Sequence, residues 1–321
     1  MPTSRSAHRS SPSFQSALRL MPSSGQSRPS SVRIWMMAAR PRTLPAAVAP
    51  VLVGTALAGS QGVFSVLVFI ATLIGATFIQ VGTNLSNDYS DARRGADTDD
   101  RLGPVRVTAG GLVPPRQVLI ATWVSFAIAA LVGIYLISVA GWEVLAIGAA
   151  SMLAGVGYTG GPRPYGYEGL GELFVFAFFG IVAVAGSYYV QTERVVWEAF
   201  ALAVPVGLLA AAILVVNNTR DLETDRRAGK RTLAVKFGPP GARYLYAAMV
   251  YGAFLSVLII WLAGSLTAWI LLPLATLVPA IALVRTVRSH SDGPTLNGAL
   301  AKAGMLQLAF CALLSLGLLL S

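Results

Sequence analysis

The chain has 321 residues, of which 55% are hydrophobic and 12% are charged, whereas soluble proteins usually contain about 25% charged residues. This composition argues against a water-soluble enzyme. The chain contains 1 cysteine, Cys311, which excludes an internal disulfide and a zinc site built on paired thiolates.

The N-terminal segment, residues 1–31, is rich in Ser, Pro and Arg and contains no carboxylate. Such a segment cannot bury enough apolar surface to fold, so we expect a disordered basic tail. Organellar transit peptides have a similar composition, but we favour a tail that lies near anionic lipid. The remaining residues, 32–321, form one predicted domain.

Nine apolar stretches of membrane-spanning length follow the tail. They predict an all-α, polytopic membrane protein in which about nine transmembrane helices form one bundle. The predicted spans cover residues 43–60, 63–83, 117–137, 142–158, 173–191, 196–216, 244–263, 266–284 and 299–320.

The distribution of positive charge predicts the orientation of this bundle. If nine spans alternate, 23 of the 24 Lys and Arg residues lie in the N-terminal segment, in every second loop or at the edge of the ninth span, with Arg194 as the exception. The positive-inside rule places those loops in the cytoplasm. We therefore expect the N terminus in the cytoplasm and the C terminus outside. The net charge of +10 then needs no nucleic-acid partner.

Carboxylates are concentrated in two short windows. They contain 8 of the 14 acidic residues, and each begins at the predicted cytoplasmic end of a span. In each window Asn-x-x-x-Asp is followed three or four residues later by a further Asp. If the helices continue past the apolar zone, Asn84 and Asp88 share one helix face, and so do Asn217, Asp221 and Asp225.

These oxygen ligands, without His or Cys, favour a hard divalent cation, Mg²⁺ before Ca²⁺. Carboxylates at this spacing repel each other unless a cation lies between them. Arg and Lys residues flank both windows, which suits a diphosphate bridged to the cation. The alternative is that both windows are solvated loops in which Asp and Arg form exchanging salt bridges.

The loop after the fourth predicted span combines glycines, prolines and tyrosines with a single cation, Arg163. The glycines and prolines allow close approach of the backbone, and Tyr158 and Tyr165 can face an aromatic ring or a cation. We expect this loop to close over a bound diphosphate, although a tight re-entrant turn explains its glycines equally well.

Several runs of residues resemble the UbiA superfamily of intramembrane aromatic prenyltransferases. Within it they are similar to the 1,4-dihydroxy-2-naphthoate polyprenyltransferases of menaquinone synthesis. The likeness extends from about residue 35 to residue 320. It is carried by residues 40–45, 84–91, 157–167, 171–176 and 229–235.

This resemblance implies transfer of a polyprenyl group from polyprenyl diphosphate to 1,4-dihydroxy-2-naphthoate. Diphosphate and CO₂ are lost, and the product is demethylmenaquinol. It further implies Mg²⁺ as cofactor, an apolar tunnel open to membrane lipid, an active site on the cytoplasmic side and a location in the plasma (inner) membrane of a bacterium. A sister enzyme that uses 4-hydroxybenzoate, a tetrapyrrole or haem is an alternative. An ion-coupled transporter is disfavoured, because transporters place ionisable groups near mid-membrane.

The family pattern also indicates which residues form the site. Many members have a further Asp four residues after the one that matches Asp91. This chain has Gly95 there, and Asp97 is the next available carboxylate. The expected catalytic residues are Asp88, Asp91, Asp221 and Asp225, and the expected metal ligands are these four with Asp97. The expected substrate-binding residues are Asn84, Asn87, Arg94, Tyr158, Arg163, Tyr165, Asn218, Arg220, Lys230 and Arg231.

Overall fold

The computed structural model describes residues 29–97, 102–264 and 266–321. Most of the predicted tail, residues 1–31, lies outside these ranges. Within them the chain is helical and contains no strand. The helices are α1 Ser31–Ala39, α2 Pro45–Ser60, α3 Val66–Arg93, α4 Pro115–Ala140, α5 Glu143–Gly157, α6 Gly171–Thr192, α7 Trp197–Arg220, α8 Leu222–Arg227, α9 Leu233–Leu262, α10 Ala268–Ser289 and α11 Gly293–Leu319.

A helix occupies each of the nine predicted spans. Among the described residues, 7 helices are long and apolar enough to cross a membrane alone. Helices α1 and α2 pass that test only as a pair, bent by 50°. Helix α5 has 15 residues, fewer than the roughly 20 that a typical bilayer needs. The all-α polytopic bundle is confirmed, and the predicted number of spans is approximate.

Several helices extend beyond the apolar zone that the sequence shows. Helix α3 continues to Arg93, and α7 continues to Arg220. Helix α11 begins at Gly293, where the Asp292 side chain accepts a hydrogen bond of 2.9 Å from the Thr295 N–H. This bond satisfies an amide of the first turn and lowers the pKa of the Asp292 carboxyl. Polar helix ends of this kind are invisible to hydropathy, and they carry much of the site described below.

Helix α7 lies at the centre of the bundle and packs against α2, α6, α9 and α11. Small residues permit these close approaches. The Cα of Gly207 in α7 faces Gly180 in α6, where an added Cβ on Gly180 would lie 2.7 Å from it. This half of the molecule is therefore tightly packed.

Helices α3, α4, α5 and α6, together with α2 and α7, surround a cavity. In α6 the residues Phe176–Val182 form a π-helical turn, a feature often found at functional sites. Phe178, Phe179 and Val182 from this turn line the cavity. A small apolar cluster that includes Leu136, Val144 and Val190 lines the cavity away from its polar end.

Candidate active site

The cavity has a volume of about 350 Å³ and differs in character between its ends. Thr72 and Asp91, which both line it, are nineteen positions apart on α3, or about 28 Å at 1.5 Å per residue. The cavity therefore runs through most of a bilayer's thickness. Its polar end is lined by Arg40, Asn84, Asn87, Asp91, Arg106, Asn217, Asn218, Asp221, Asp225 and Lys230, and its apolar wall includes Ile79, Leu136, Val144, Ile147, Phe178 and Val190.

The two acidic windows meet at the polar end. The Lys230 Nζ lies 3.2 Å from the Asp91 Oδ2 and 4.0 Å from the Asp225 Oδ1. One ammonium group therefore joins the end of α3 to α8. Because two carboxylates face one ammonium group here, this end of the cavity is electrostatically suited to a cation.

Asp91 is buried and has three polar partners at the polar end. Its side chain is 2% exposed, and its Oδ1 accepts a hydrogen bond of 2.8 Å from the Tyr167 Oη. The Arg106 Nη2 lies 3.8 Å from its Oδ2. Burial, and after it the charge of Asp91, raises the pKa of the Tyr167 phenol. Tyr167 therefore remains a neutral hydrogen-bond donor.

Asp88 differs from the sequence-based expectation, because its side chain is absent from the lining of the cavity. Its Oδ2 accepts from the Val107 N–H at 3.2 Å, and its Oδ1 accepts from the Thr108 N–H at 2.9 Å. Successive residues of an α-helix are rotated by about 100°, so Asp88 points to a different side of α3 from Asn87. These two hydrogen bonds anchor the segment that carries Arg106, and a role of Asp88 as a metal ligand stays a prediction.

The second window is not one continuous helix, contrary to the expectation that Asn217, Asp221 and Asp225 share a face of a single helix. Helix α7 ends at Arg220, and Asp221 has φ −90° and ψ 7°. The Asp225 N–H still donates to the Asp221 carbonyl at 2.7 Å. This bond keeps the chain compact across the break, so all three side chains line the cavity.

Arg220 is committed to protein partners and does not line the cavity. Its Nε donates to the Asp221 Oδ1 at 2.8 Å, and its Nη2 donates to the Asn217 Oδ1 at 2.9 Å. Its Nη1 donates to the Asn297 Oδ1 at 2.7 Å. These contacts hold the second window in place, and substrate binding by Arg220 stays a prediction.

Four other predicted residues also lie away from the cavity lining. Arg94 donates to the carbonyls of Thr159 and Gly161 and so fixes the loop after α5. Asp97 lies 3.5 Å from the Arg106 Nε. The last two, Arg163 and Arg231, are exposed.

The remaining predicted residues line the cavity as expected. Asn84 donates to the Ala39 carbonyl at 2.9 Å, and Asn87 accepts from the Thr159 hydroxyl at 2.9 Å. Their amide groups are thereby oriented. Asn218 and Lys230 complete this part of the lining.

Tyr158 and Tyr165 form an aromatic wall beside the polar end. The Tyr165 ring stacks on Phe174 at 3.9 Å and meets Tyr158 edge-on at 5.5 Å. Burial, and after it the negative charge of Glu172, raises the pKa of Tyr158. Burial also raises the pKa of Tyr165. Both phenols therefore stay neutral, and the Tyr165 hydroxyl donates to the Ala154 carbonyl at 2.8 Å.

Sequence reasoning missed Tyr167, Arg106 and Arg40, which all line the cavity. Tyr167 belongs to the same aromatic loop as Tyr165, and that proximity was an available signal. Arg40 has φ 55°, a left-handed conformation that is uncommon outside glycine. No sequence signal distinguishes Arg106 from other loop cations.

The donor set at the polar end fits a magnesium ion. Among the described residues, no three His, Cys, Asp or Glu side chains converge on one point. However, Asp91, Asp221 and Asp225 share this end of the cavity with amide side chains, and such oxygen atoms are the ligands that Mg²⁺ prefers. The Lys230 ammonium between Asp91 and Asp225 occupies the position where a cation is favoured.

Comparison with known proteins identifies the family to which the chain is similar. Residues 47–319 match the UbiA prenyltransferase family. The 1,4-dihydroxy-2-naphthoate octaprenyltransferase of Mycobacterium tuberculosis is 41% identical over 86% of this chain and 93% of its own length. The enzyme of that name from Escherichia coli is 38% identical over 78% of this chain and 83% of its own length.

Solved structures show the same fold. A UbiA homologue from Archaeoglobus fulgidus bound to DMAPP and Mg²⁺ aligns with a TM-score of 0.62 at 15% identity, over 88% of this chain and 99% of the homologue. An apo UbiA homologue from Aeropyrum pernix aligns with a TM-score of 0.65 at 17% identity, over 86% and 97%. The resemblance noted in the sequence is confirmed, and the chain belongs to the UbiA prenyltransferase family.

Proposed function

We propose that this chain transfers a polyprenyl group from polyprenyl diphosphate to 1,4-dihydroxy-2-naphthoate, with release of diphosphate and CO₂, to form demethylmenaquinol. The observation that carries this proposal is a single cavity that combines oxygen ligands and cations at one end with a long apolar wall. A donor with a charged head and an isoprenoid tail matches both parts. The names of the relatives support 1,4-dihydroxy-2-naphthoate as the acceptor.

The diphosphate of the donor is expected at the polar end. Lys230 and Arg106 are the cations that line it nearest Asp91, and both can pair with phosphate oxygens. Asp91, Asp221 and Asp225, with the amide oxygen of Asn87, would hold Mg²⁺. When bound there, Mg²⁺ neutralises the diphosphate and makes it a better leaving group.

The aromatic wall suits the organic part of the reaction. Breaking the allylic C–O bond releases diphosphate and leaves positive charge on the prenyl carbon. The faces of Tyr158, Tyr165 and Phe174 attract that charge. The electron-rich naphthoate ring then forms a C–C bond at the carbon that bears the carboxylate. That carboxylate leaves as CO₂, its bonding electrons return to the ring, and no strong base is needed.

We further propose that the polar end faces the cytoplasm of a bacterial plasma membrane, with the N terminus in the cytoplasm and the C terminus outside. The distribution of Lys and Arg residues supports this orientation. The carboxylates lie at one end of the cavity rather than midway along the spanning helices. This placement favours catalysis at a membrane surface over ion-coupled transport.

The test is reconstitution of the purified chain in phospholipid vesicles with octaprenyl diphosphate, Mg²⁺ and a panel of acceptors. The panel contains 1,4-dihydroxy-2-naphthoate carrying a ¹⁴C-labelled carboxyl group, 4-hydroxybenzoate and haem. We expect prenylated naphthol by mass spectrometry and one labelled CO₂ for each product molecule. EDTA should abolish the reaction, and added Mg²⁺ should restore it. Faster prenylation of another acceptor, or product that keeps its label, would contradict the proposal.

A further inference from the structure

A buried carboxylate lies behind the polar end of the cavity and has no part in the mechanism above. Glu172 is the second residue of α6, and it is 2% exposed. Its Oε2 is buried without a hydrogen-bond partner among the described residues. A buried, half-satisfied carboxylate is costly, so it requires an explanation.

The other oxygen of Glu172 contacts a residue of the site. Its Oε1 accepts a hydrogen bond of 2.9 Å from the Asn218 Nδ2. Asn218 lines the cavity. Because its NH₂ group is turned toward Glu172, its Oδ1 is the polar atom that it can offer to the cavity. A carboxylate can only accept hydrogen bonds, and it therefore selects this orientation of the amide.

The neighbouring amide is oriented in the opposite sense. The Asn217 Oδ1 accepts from the Arg220 Nη2 at 2.9 Å. Its NH₂ group is therefore the part left for the cavity, which Asn217 also lines. A cation behind one amide and an anion behind the next give the site one donor and one acceptor, side by side. A cation-bound diphosphate can use both groups. Its oxygens accept hydrogen bonds from the donor, and its cation takes the acceptor oxygen as a ligand.

We propose that Glu172 is a positioning residue that holds Asn218 with its amide oxygen toward the cavity, where that oxygen serves the divalent cation of the bound diphosphate. The proposal rests on the proposed function insofar as the donor is a cation-bound diphosphate. It does not depend on which aromatic acceptor is used. Without Glu172, the amide can rotate and present its NH₂ group, which repels a cation.

The test measures binding without catalysis. The full chain in vesicles is titrated with an unreactive prenyl thiodiphosphate in the presence of Mn²⁺, and bound Mn²⁺ is followed by EPR. Glu172→Ala and Asn218→Ala should each weaken Mn²⁺-dependent binding by about 10-fold or more, as expected for loss of one buried polar contact. Glu172→Gln should lose less binding than Glu172→Ala, because its side-chain carbonyl can still accept from Asn218, but it should bind more weakly than wild type, because its NH₂ group no longer excludes the opposite orientation of that amide. Glu168→Gln, a change to an exposed carboxylate four positions earlier, is the matched control.

Two double variants separate positioning from simple packing between α6 and α7. On an Asn218→Ala background, Glu172→Ala should cause no further loss of binding, because the residue through which it acts is already gone. In Glu172→Gln with Asn218→Asp, the Gln NH₂ can donate to the new carboxylate, whose second oxygen still faces the cavity. This pair should recover binding relative to Asn218→Asp alone.

Two results would overturn the proposal. One is additive losses for Glu172→Ala and Asn218→Ala. The other is a lower melting temperature of Glu172→Ala with unchanged Mn²⁺-dependent binding, which would make the contact a helix tether only. If Glu172→Ala does not fold, the exchanged pair decides, and failure of its rescue counts against positioning. Wild-type binding without any prenylated naphthol would instead indicate that the proposed acceptor is wrong.

Discussion

Asp91 and Lys230 are 139 positions apart in the sequence, yet their side chains form an ion pair of 3.2 Å at the polar end of the cavity. Lys230 also lies 4.0 Å from Asp225. The ammonium group therefore marks the point where the two acidic windows meet. It also lines the cavity, where an ammonium group can pair with a phosphate oxygen.

Replacing Lys230 tests this assignment. We expect Lys230→Ala to lower kcat/KM for the prenyl diphosphate by about 10- to 100-fold, as for loss of one charge-assisted hydrogen bond. The change should appear mainly in the KM for the donor and little in the KM for the acceptor. Arg226→Ala, which removes an exposed cation paired with Glu223, is the control. If Lys230→Ala and Arg226→Ala lowered kcat/KM equally, the loss would come from the overall positive charge and not from a contact between Lys230 and the donor.

The two acids of α8 provide a matched pair for the metal role. Asp225 lines the cavity with a side chain 13% exposed, whereas the Glu223 side chain is 68% exposed. Asp225→Asn should lower turnover by at least about 100-fold, because it removes a negatively charged ligand of the Mg²⁺ that would neutralise the departing diphosphate. It should also raise the Mg²⁺ concentration needed for half-maximal activity. Glu223→Gln should change neither quantity, and a loss as large as that of Asp225→Asn would contradict the geometry.

The contacts of Asp88 lead to a prediction that differs from the one made from the sequence pattern alone. Its carboxylate binds the Val107 and Thr108 N–H groups, so its loss should act by loosening the segment that carries Arg106. We expect Asp88→Asn to keep at least about 10 times the activity of Asp91→Asn, because one side-chain oxygen still accepts a backbone N–H. The Mg²⁺ dependence of Asp88→Asn should match wild type. A shift in Mg²⁺ dependence as large as that of Asp91→Asn would restore Asp88 as a ligand.

These three cases show how far the sequence determines the site. Hydropathy and charge place both acidic windows at one membrane face, and the structure brings Asp91, Asp225 and Lys230 together there. The pattern does not show that the Asp88 carboxylate binds the Val107 and Thr108 N–H groups instead of lining the cavity. It also does not reveal that Arg220 is held by Asp221, Asn217 and Asn297, because those contacts depend on how distant helices pack.

Tyr167 and Arg106 were missed for a related reason, although the position of Tyr167 in the aromatic loop was a signal. Both come from connecting segments, whose backbone path is set by contacts and not by periodicity. Tyr167 belongs to a short 3₁₀ turn, Tyr165–Glu168. Arg106 lies in the segment whose N–H groups bind Asp88. Hydropathy gives helix positions, whereas loop side chains become visible only once the fold is known.

The hydroxyl of Tyr167 leads to a pH prediction. Burial, and after it the charge of Asp91, raises the pKa of this phenol above its ordinary value of 10.0. Because the pKa is raised, the proton that donates to Asp91 stays bound throughout pH 7 to about 10. Tyr167→Phe should lower kcat/KM by about 10-fold, as for loss of one hydrogen bond to a charged group.

The ratio of wild-type to Tyr167→Phe activity should be constant across that pH range. The measurement is a pair of pH profiles recorded in the same vesicles at saturating Mg²⁺. A ratio that falls toward one as the pH rises would mean that the phenol loses its proton in this range. The proposed burial of the Tyr167–Asp91 contact would then be wrong.

The close approach of α2 to α6 gives a prediction about stability. At Gly54 an added Cβ would lie 2.3 Å from the Val184 carbonyl oxygen and 2.9 Å from the Tyr188 N. These are backbone atoms, so relief requires the two helices to separate. Gly54→Ala should therefore destabilise the protein by about 1–3 kcal/mol, as overpacking usually does, and lower its melting temperature in detergent. Gly298→Ala on α11 is the control, since no atom of the described residues lies within 4 Å of its added Cβ. That variant should melt at the wild-type temperature or slightly higher, because Ala favours a helix by about 1 kcal/mol over Gly. Equal melting temperatures for Gly54→Ala and wild type would show that α2 and α6 are not packed as tightly as described.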